Sequence, residues 1–205
     1  MFVCFDFDGT LVNSVDAAFN AFQQVGPEFG CAPLTRERLD ELRGLHLREI
    51  VRALGVPLYR VPRLARRMRG VMRAELLETP PVAGVAGLLD ELTRRGCRFG
   101  VLSSNAQSSV RDYCERHGLT GFDVIVAGTG LFGKASALRV LLRRQGLQPG
   151  DLLYVGDELR DLDAARAVGV RFAAVGWGYT SLDRLAAAGP DDLLERPADL
   201  LGVIA

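Results

Sequence analysis

Asp6 and Asp8 stand two residues apart at the end of the apolar run 2–7, immediately before Gly9-Thr10. Alternate residues leaving a strand share a general direction, and a glycine permits a sharp bend, so both carboxylates can reach one small group. The same kind of boundary recurs along the chain. An apolar run at 97–102 ends in Ser103-Ser104-Asn105, one at 123–127 leads through Gly128 to Lys134, and one at 152–155 ends in Gly156-Asp157, with Asp161 one helical turn on. Carboxylates crowded as bare anions repel strongly, so their convergence implies a divalent cation. Ligands that are all oxygen favour Mg²⁺ over zinc. A carboxylate held beside such an ion can attack phosphorus to form an aspartyl-phosphate, while a second carboxyl protonates the leaving alcohol. Asp6 suits the nucleophile and Asp8 the acid. Ser104 and Asn105 are expected to donate hydrogen bonds to phosphate oxygens, and Lys134 to neutralise them.

Lys134 has a further distinction. Lysine and arginine together number 25, and Lys134 is the single lysine. A chain that meets every other need for positive charge with arginine has kept one flexible ammonium whose shape guanidinium cannot imitate.

These groups need a frame that brings strand ends together. From 80 onward, apolar runs rich in β-formers alternate with segments of helical period, which predicts a parallel sheet with helices on both faces. In such sheets ligands bind beyond the carboxyl ends of the strands. Between 14 and 79 the pattern is helical only, broken by Gly and Pro, so a helical cap is expected there, inserted after the first strand. The predicted domains are therefore an α/β core of residues 1–13 and 80–205, with a doubly wound parallel sheet, and a cap of residues 14–79. Two crossings make a hinge that can admit a ligand and then exclude water. The tail from 191 predicts one more short strand and a final helix.

Composition narrows the partners. Acidic and basic residues balance at 25 each, so no global field is available to hold nucleic acid or an acidic membrane surface. No apolar stretch approaches membrane-spanning length and the start MFVCFDFDGT lacks the features of a signal peptide, so a cytoplasmic location is expected. Cys4, Cys31, Cys97 and Cys114 form no CxxC pair and read as reduced thiols, mostly buried. The partner expected is a small phosphorylated metabolite, and the chain a monomer or homodimer.

The motifs D-F-D-G-T-L at 6–11, Ser104-Asn105 after a strand, Lys134 at a helix start and Gly156-Asp157-x-x-x-Asp161 occur in an order that resembles the haloacid-dehalogenase-like superfamily. Within it the chain resembles the phosphoglycolate-phosphatase-like branch, whose helical cap follows the first motif. The resemblance implies Asp6 as nucleophile and Mg²⁺ ligand, and Asp8 as general acid and then base, with its carbonyl on the metal. It implies Ser104 and Lys134 as phosphate binders, Asp157 as a further Mg²⁺ ligand, and Asp161 as a direct or water-mediated partner of the ion. Asn13 stands where many relatives carry aspartate, which touches only a peripheral contact. An acid at position 8 implies phosphate esters rather than carbon–halogen bonds.

Other readings compete. A phosphosugar mutase, a pyrophosphatase or nucleotidase, and a non-catalytic binding module share the fold. Gly128 to Lys134 fits G-x-x-x-x-G-K, but Ala135 stands where a nucleotide-cradling loop needs Ser or Thr. Gly9, Thr10, Asn105 and His46 complete the candidate substrate-binding set; His46 lies beside Arg43 and Gly44 in a break between cap helices, where a plain surface role is the alternative. Six arginines, Arg60, Arg63, Arg66, Arg67, Arg69 and Arg73, have no acid among them and are expected to form a solvated helix face.

Overall fold

The computed structural model describes residues 1–43, 45–130 and 133–204. Six strands, β1 (Phe2–Phe5), β2 (Arg98–Leu102), β3 (Val124–Val126), β4 (Leu152–Gly156), β5 (Arg171–Val175) and β6 (Asp192–Leu194), form one sheet in the order β3-β2-β1-β4-β5-β6. Every neighbouring pair is parallel. β1 is central, with Phe2 opposite both Arg98 and Leu152.

The alternation along β1 explains why its sequence is apolar throughout. Val3 and Phe5 join the core on one face of the sheet, Phe2 and Cys4 the core on the other. β4 divides in the same way, Leu153 and Val155 against Leu152 and Tyr154. A strand buried on both faces has no polar side to show.

Among the described residues, β1 is followed by the helices α1 (Val15–Val25), α2 (Arg36–Leu42), α3 (Leu47–Ala53) and α4 (Val61–Glu78). The remaining helices are α5 (Val85–Arg94), α6 (Gln107–Arg116), α7 (Lys134–Gln145), α8 (Leu159–Arg166), α9 (Leu182–Ala188) and α10 (Leu200–Val203). Side chains of α5, α6 and α10 pack on the face of Val3 and Phe5; those of α7, α8 and α9 pack on the face of Phe2 and Cys4. The short strand and last helix expected in the tail are β6 and α10.

The inserted helices have an apolar cluster of their own, including Phe22, Val25, Phe29, Leu42, Val51 and Leu64. α1 and α4 also send Ala17, Ala21, Met72 and Leu76 into the sheet's core, so the insertion rests on the sheet layer. Its entry and exit strands touch: Val12 and Pro81 form an antiparallel bridge, and Val82 N donates to Leu11 O at 3.0 Å. α4 lies along α6, where Arg73 meets Asp112 at 3.0 Å, Arg116 pairs with Glu78, and the His117 ring lies 3.0 Å from Leu77 O through Nε2.

Two boundaries differ from expectation. β1 ends at Phe5 rather than at position 7, because the Phe7 carbonyl accepts from the backbone N–H groups of Leu11 and Val12 and curls the chain off the sheet. Gly70 does not interrupt α4; packing on α1 and α6 offsets the modest cost of a glycine inside a helix. The four cysteines are free, and Cys97 is the one that is not fully buried. Among the described residues, no helix is long and apolar enough to cross a membrane.

Candidate active site

The carboxyl ends of β1, β2 and β4 open on one edge of the sheet, and the loops there carry most of the residues singled out above. Asp6 extends the β1 ladder by one bond, its N–H donating to Val155 O at 2.8 Å, which fixes the carboxylate beside the end of β4. Lys134, the first residue of α7, reaches in beneath it. Lys134 Nζ lies 2.7 Å from Asp6 Oδ2 and also pairs with Asp161. Lys134 is only 3% exposed, and Asp6 2%. An ammonium so enclosed is stable as a cation only because two acids flank it. Burial alone would lower the Lys134 pKa, but the Asp161 and Asp6 charges outweigh it and hold the pKa above its ordinary value.

Asp157, at the end of β4, and Asp161, in the first turn of α8, complete an acidic group. Asp6, Asp157 and Asp161 each offer a carboxylate oxygen within 4.8 Å of the others. Asp157 is gripped on both sides: Thr10 Oγ1 donates to Oδ1 at 3.0 Å and Tyr179 N to Oδ2 at 2.7 Å. Asp161 Oδ1 pairs with Lys134 and accepts from Tyr154 OH at 3.3 Å, while Oδ2 accepts from Glu158 N at 3.3 Å. Asp6 Oδ2 is buried and meets Lys134 as an ion pair.

Burial pushes the Asp6 carboxyl up to about 7 against the opposing pull of Lys134. Burial, then the nearby Glu158, Asp6 and Asp161 charges, push Asp157 well above the usual carboxylate range. A divalent cation would remove this repulsion. Hard oxygen donors and three buried acids in reach of one point fit such an ion.

Glycines set the approach. Gly9 has φ +78°, and a Cβ there would stand 2.2 Å from Asp157 Oδ2. A Cβ on Gly178 would stand 2.2 Å from Asp157 Cβ. Gly133 ends the loop before Lys134, where a Cβ would meet Thr129 O at 1.8 Å.

Asp8 hangs from the turn after β1. Asn105 Nδ2 donates to its Oδ2 at 2.9 Å, and its Oδ1 is buried without a partner. Burial raises the Asp8 pKa, with Lys134 and the Asn105 hydrogen bond pulling the other way. Asn105 is held in turn: its N–H donates to Ser103 Oγ at 3.0 Å, and its carbonyl accepts from Gly128 N at 2.7 Å. The amide expected to face phosphate is therefore engaged with Asp8. Ser104 lines the cavity above, about 290 Å³, whose walls run from Asp8 and Asn105 to the apolar side chains of α1 to α4.

His46 precedes α3, its backbone N–H donating to Glu49 Oε2 at 2.8 Å. Its ring lies 3.9 Å from Asp163 Oδ2 across a second cleft, which Lys134 and Arg160 also line. The structure thus brings Asp6, Asp8, Thr10, Asn105, Lys134, Asp157 and Asp161 together and sets His46 at a neighbouring opening. Gly44, beside His46, and Leu131 and Phe132, in the G-x-x-x-x-G-K stretch, lie outside the described residues. The Lys134 side chain of that stretch points to Asp6 and Asp161.

Several participants escaped the sequence reading. Arg160 Nη2 donates to Glu158 Oε1 at 2.7 Å in the gap of the Gly156-Asp157-x-x-x-Asp161 motif, and its charge lowers the pKa of both Asp6 and Asp8. Tyr179 supplies the N–H on Asp157. Arg43 ties the insertion to the same loop, donating through Nη2 to Gly178 O at 2.9 Å and through Nε to Tyr179 O at 3.1 Å. The glycines flanking Trp177 were the available signal for a tight loop there.

The chain matches the haloacid dehalogenase-like hydrolase family over residues 3–175 and belongs to it. It is 39% identical over 203 residues to a phosphoglycolate phosphatase of Synechococcus elongatus, covering 98% of this chain and 96% of that one. A haloacid dehalogenase-like hydrolase of Streptococcus pneumoniae superposes with a TM-score of 0.82 at 22% identity, over 100% of this chain and 98% of that one. A variant of CbbY from Rhodobacter sphaeroides, in complex with xylulose-(1,5)bisphosphate, superposes with a TM-score of 0.75 at 25% identity, over 97% and 95%.

Proposed function

We propose that this hydrolase is a Mg²⁺-dependent phosphatase that cleaves a small phosphate monoester through an aspartyl-phosphate on Asp6. The observation that carries the reading is the Asp6–Lys134–Asp161 arrangement beside Asp157 in one enclosed cluster. The phosphoglycolate phosphatase relative supports the same reaction class. Asp6, Asp157 and the Asp8 backbone carbonyl would hold the ion, with Asp161 acting directly or through water. When bound, the ion neutralises charge on the transferring phosphoryl oxygens.

The chain's own groups do the rest. Lys134 keeps Asp6 oriented, and an Asp6 oxygen attacks phosphorus as the bond to the ester oxygen breaks. Asp8, protonated, delivers its proton from Oδ1 to that leaving oxygen. After the alcohol departs, Asp8 takes a proton from water, whose oxygen attacks the aspartyl-phosphate and frees Asp6 and inorganic phosphate. Ser104 and Lys134 hold phosphate oxygens, and residues 14–79 act as a cap that keeps bulk water out during the first step.

Asp6→Asn tests this. The substitution keeps the shape and removes the nucleophile, so phosphate release should fall by about 10³-fold or more while the fold, read by circular dichroism, is retained. Undiminished release by a folded Asp6→Asn variant defeats the proposal.

A further inference from the structure

On α4, Arg66, Arg69 and Arg73 recur at three- and four-residue spacing and so share one face. Arg67 turns elsewhere and pairs with Glu28 through Nη2 at 2.6 Å. The shared face looks into a cleft of about 480 Å³ between α4 and the start of α6, lined also by Ser104, Asn105 and Ser109. Arg69, Ser104 and Asn105 belong at once to this cleft and to the cavity over Asp8. Arg69 therefore stands where the two spaces join, and it shares the first of them with Asp8.

Arg73 is engaged with Asp112 across the cleft at 3.0 Å. Arg69 is half-buried and has no ion pair or hydrogen bond among the described residues. Burial lowers its pKa while the Asp8 charge opposes that shift, which places its guanidinium in partly desolvated surroundings within the field of the site. A guanidinium in such a place gains most from an anionic oxygen pair. The expectation that the whole arginine cluster is a solvated face thus fails at Arg69, because the helical phase turns this one position inward.

Asp8 is the group assigned to the leaving oxygen, so the cavity that Asp8 and Arg69 both line is the space open to the leaving group. We propose that Arg69 is a specificity residue that binds an anionic group, a carboxylate or a second phosphate, on the alcohol portion of the ester. This rests on the phosphatase reading above.

The test compares kcat/KM for phosphoglycolate, ethylene glycol bisphosphate and hydroxyethyl phosphate, which differ in the group at the far end. In Arg69→Ala, the preference for an anion-bearing ester over hydroxyethyl phosphate should fall about 10- to 100-fold, mainly through KM, as expected for one charge-assisted hydrogen-bonded pair. Arg69→Lys should restore part of it, and Arg67→Ala should leave the preference unchanged. A loss confined to phosphoglycolate assigns a carboxylate, and a loss confined to the bisphosphate assigns a second phosphate. An unchanged preference in Arg69→Ala, with all esters still turned over, overturns the role of Arg69 alone. No phosphate release from any of the three by the unaltered enzyme overturns the phosphatase reading beneath it.

Discussion

Asn105 Nδ2 donates to Asp8 Oδ2 at 2.9 Å, leaving Asp8 Oδ1 buried and without a partner. One oxygen is anchored and the other is free for a proton transfer. The anchor is itself tied to Ser103 and Gly128, so the loops after β2 and β3 jointly aim an acid carried by the turn after β1.

Asn105→Ala should therefore lower kcat by about tenfold or more, within the range contributed by general acid catalysis. It should also move the pH profile. The Asn105 hydrogen bond favours ionised Asp8, so its loss raises the Asp8 pKa further, and the alkaline fall in kcat/KM should shift to higher pH. A lowered rate with an unmoved profile would show Asn105 acting on something other than Asp8.

Gly9→Ala should be costly because it meets two obstacles, a left-handed backbone at φ +78° and the Asp157 carboxylate 2.2 Å from the new Cβ. The left-handed strain alone is worth about 1–3 kcal/mol, and displacement of Asp157 should weaken divalent-ion binding as well. Urea unfolding and Mg²⁺ titration check both effects; a variant within about 0.5 kcal/mol of the parent would contradict the crowding, since an unstrained site tolerates such a change.

Stability should depend on pH in a direction set by burial. Asp6 has its carboxyl raised from an ordinary 3.8 to about 7, so the native state keeps a proton that the unfolded chain has lost. The associated stability is fully present below the unfolded value and is lost as pH rises through the folded one. Metal-free protein, kept in chelator, should lose thermal stability between pH 4 and pH 7, and the gain on adding Mg²⁺ should grow over the same interval. A Mg²⁺ effect that is absent, or equal at both ends, would contradict an acidic cluster that needs a cation.

Much of this site was legible in the residue order, because strands buried on both faces are apolar throughout and end abruptly in polar groups. The two-residue spacing of Asp6 and Asp8 and the solitary Lys134 survive as neighbours in space for that reason. Tyr179 on Asp157, Arg43 on the loop after β5 and the Arg160–Glu158 pair were not legible. Each depends on the path of an irregular loop, where no periodicity says which way a side chain or an N–H points. The inward turn of Arg69 lay between these cases: the helix of 61–78 was readable, but its rotation about its axis is set by Met72 and Leu76 meeting the sheet's core.

The proposed reaction requires a phosphoryl group to pass through Asp6. The direct measurement is acid quenching of Asp8→Asn during turnover of p-nitrophenyl phosphate, whose leaving group needs no proton from Asp8, with Mg²⁺, followed by peptide mass spectrometry. Slowed breakdown should leave one phosphoryl group on the peptide containing Asp6, absent when Asp6 is also Asn. Phosphate release with no phosphorylated Asp6 peptide, or with the phosphoryl group on another residue, would contradict the mechanism.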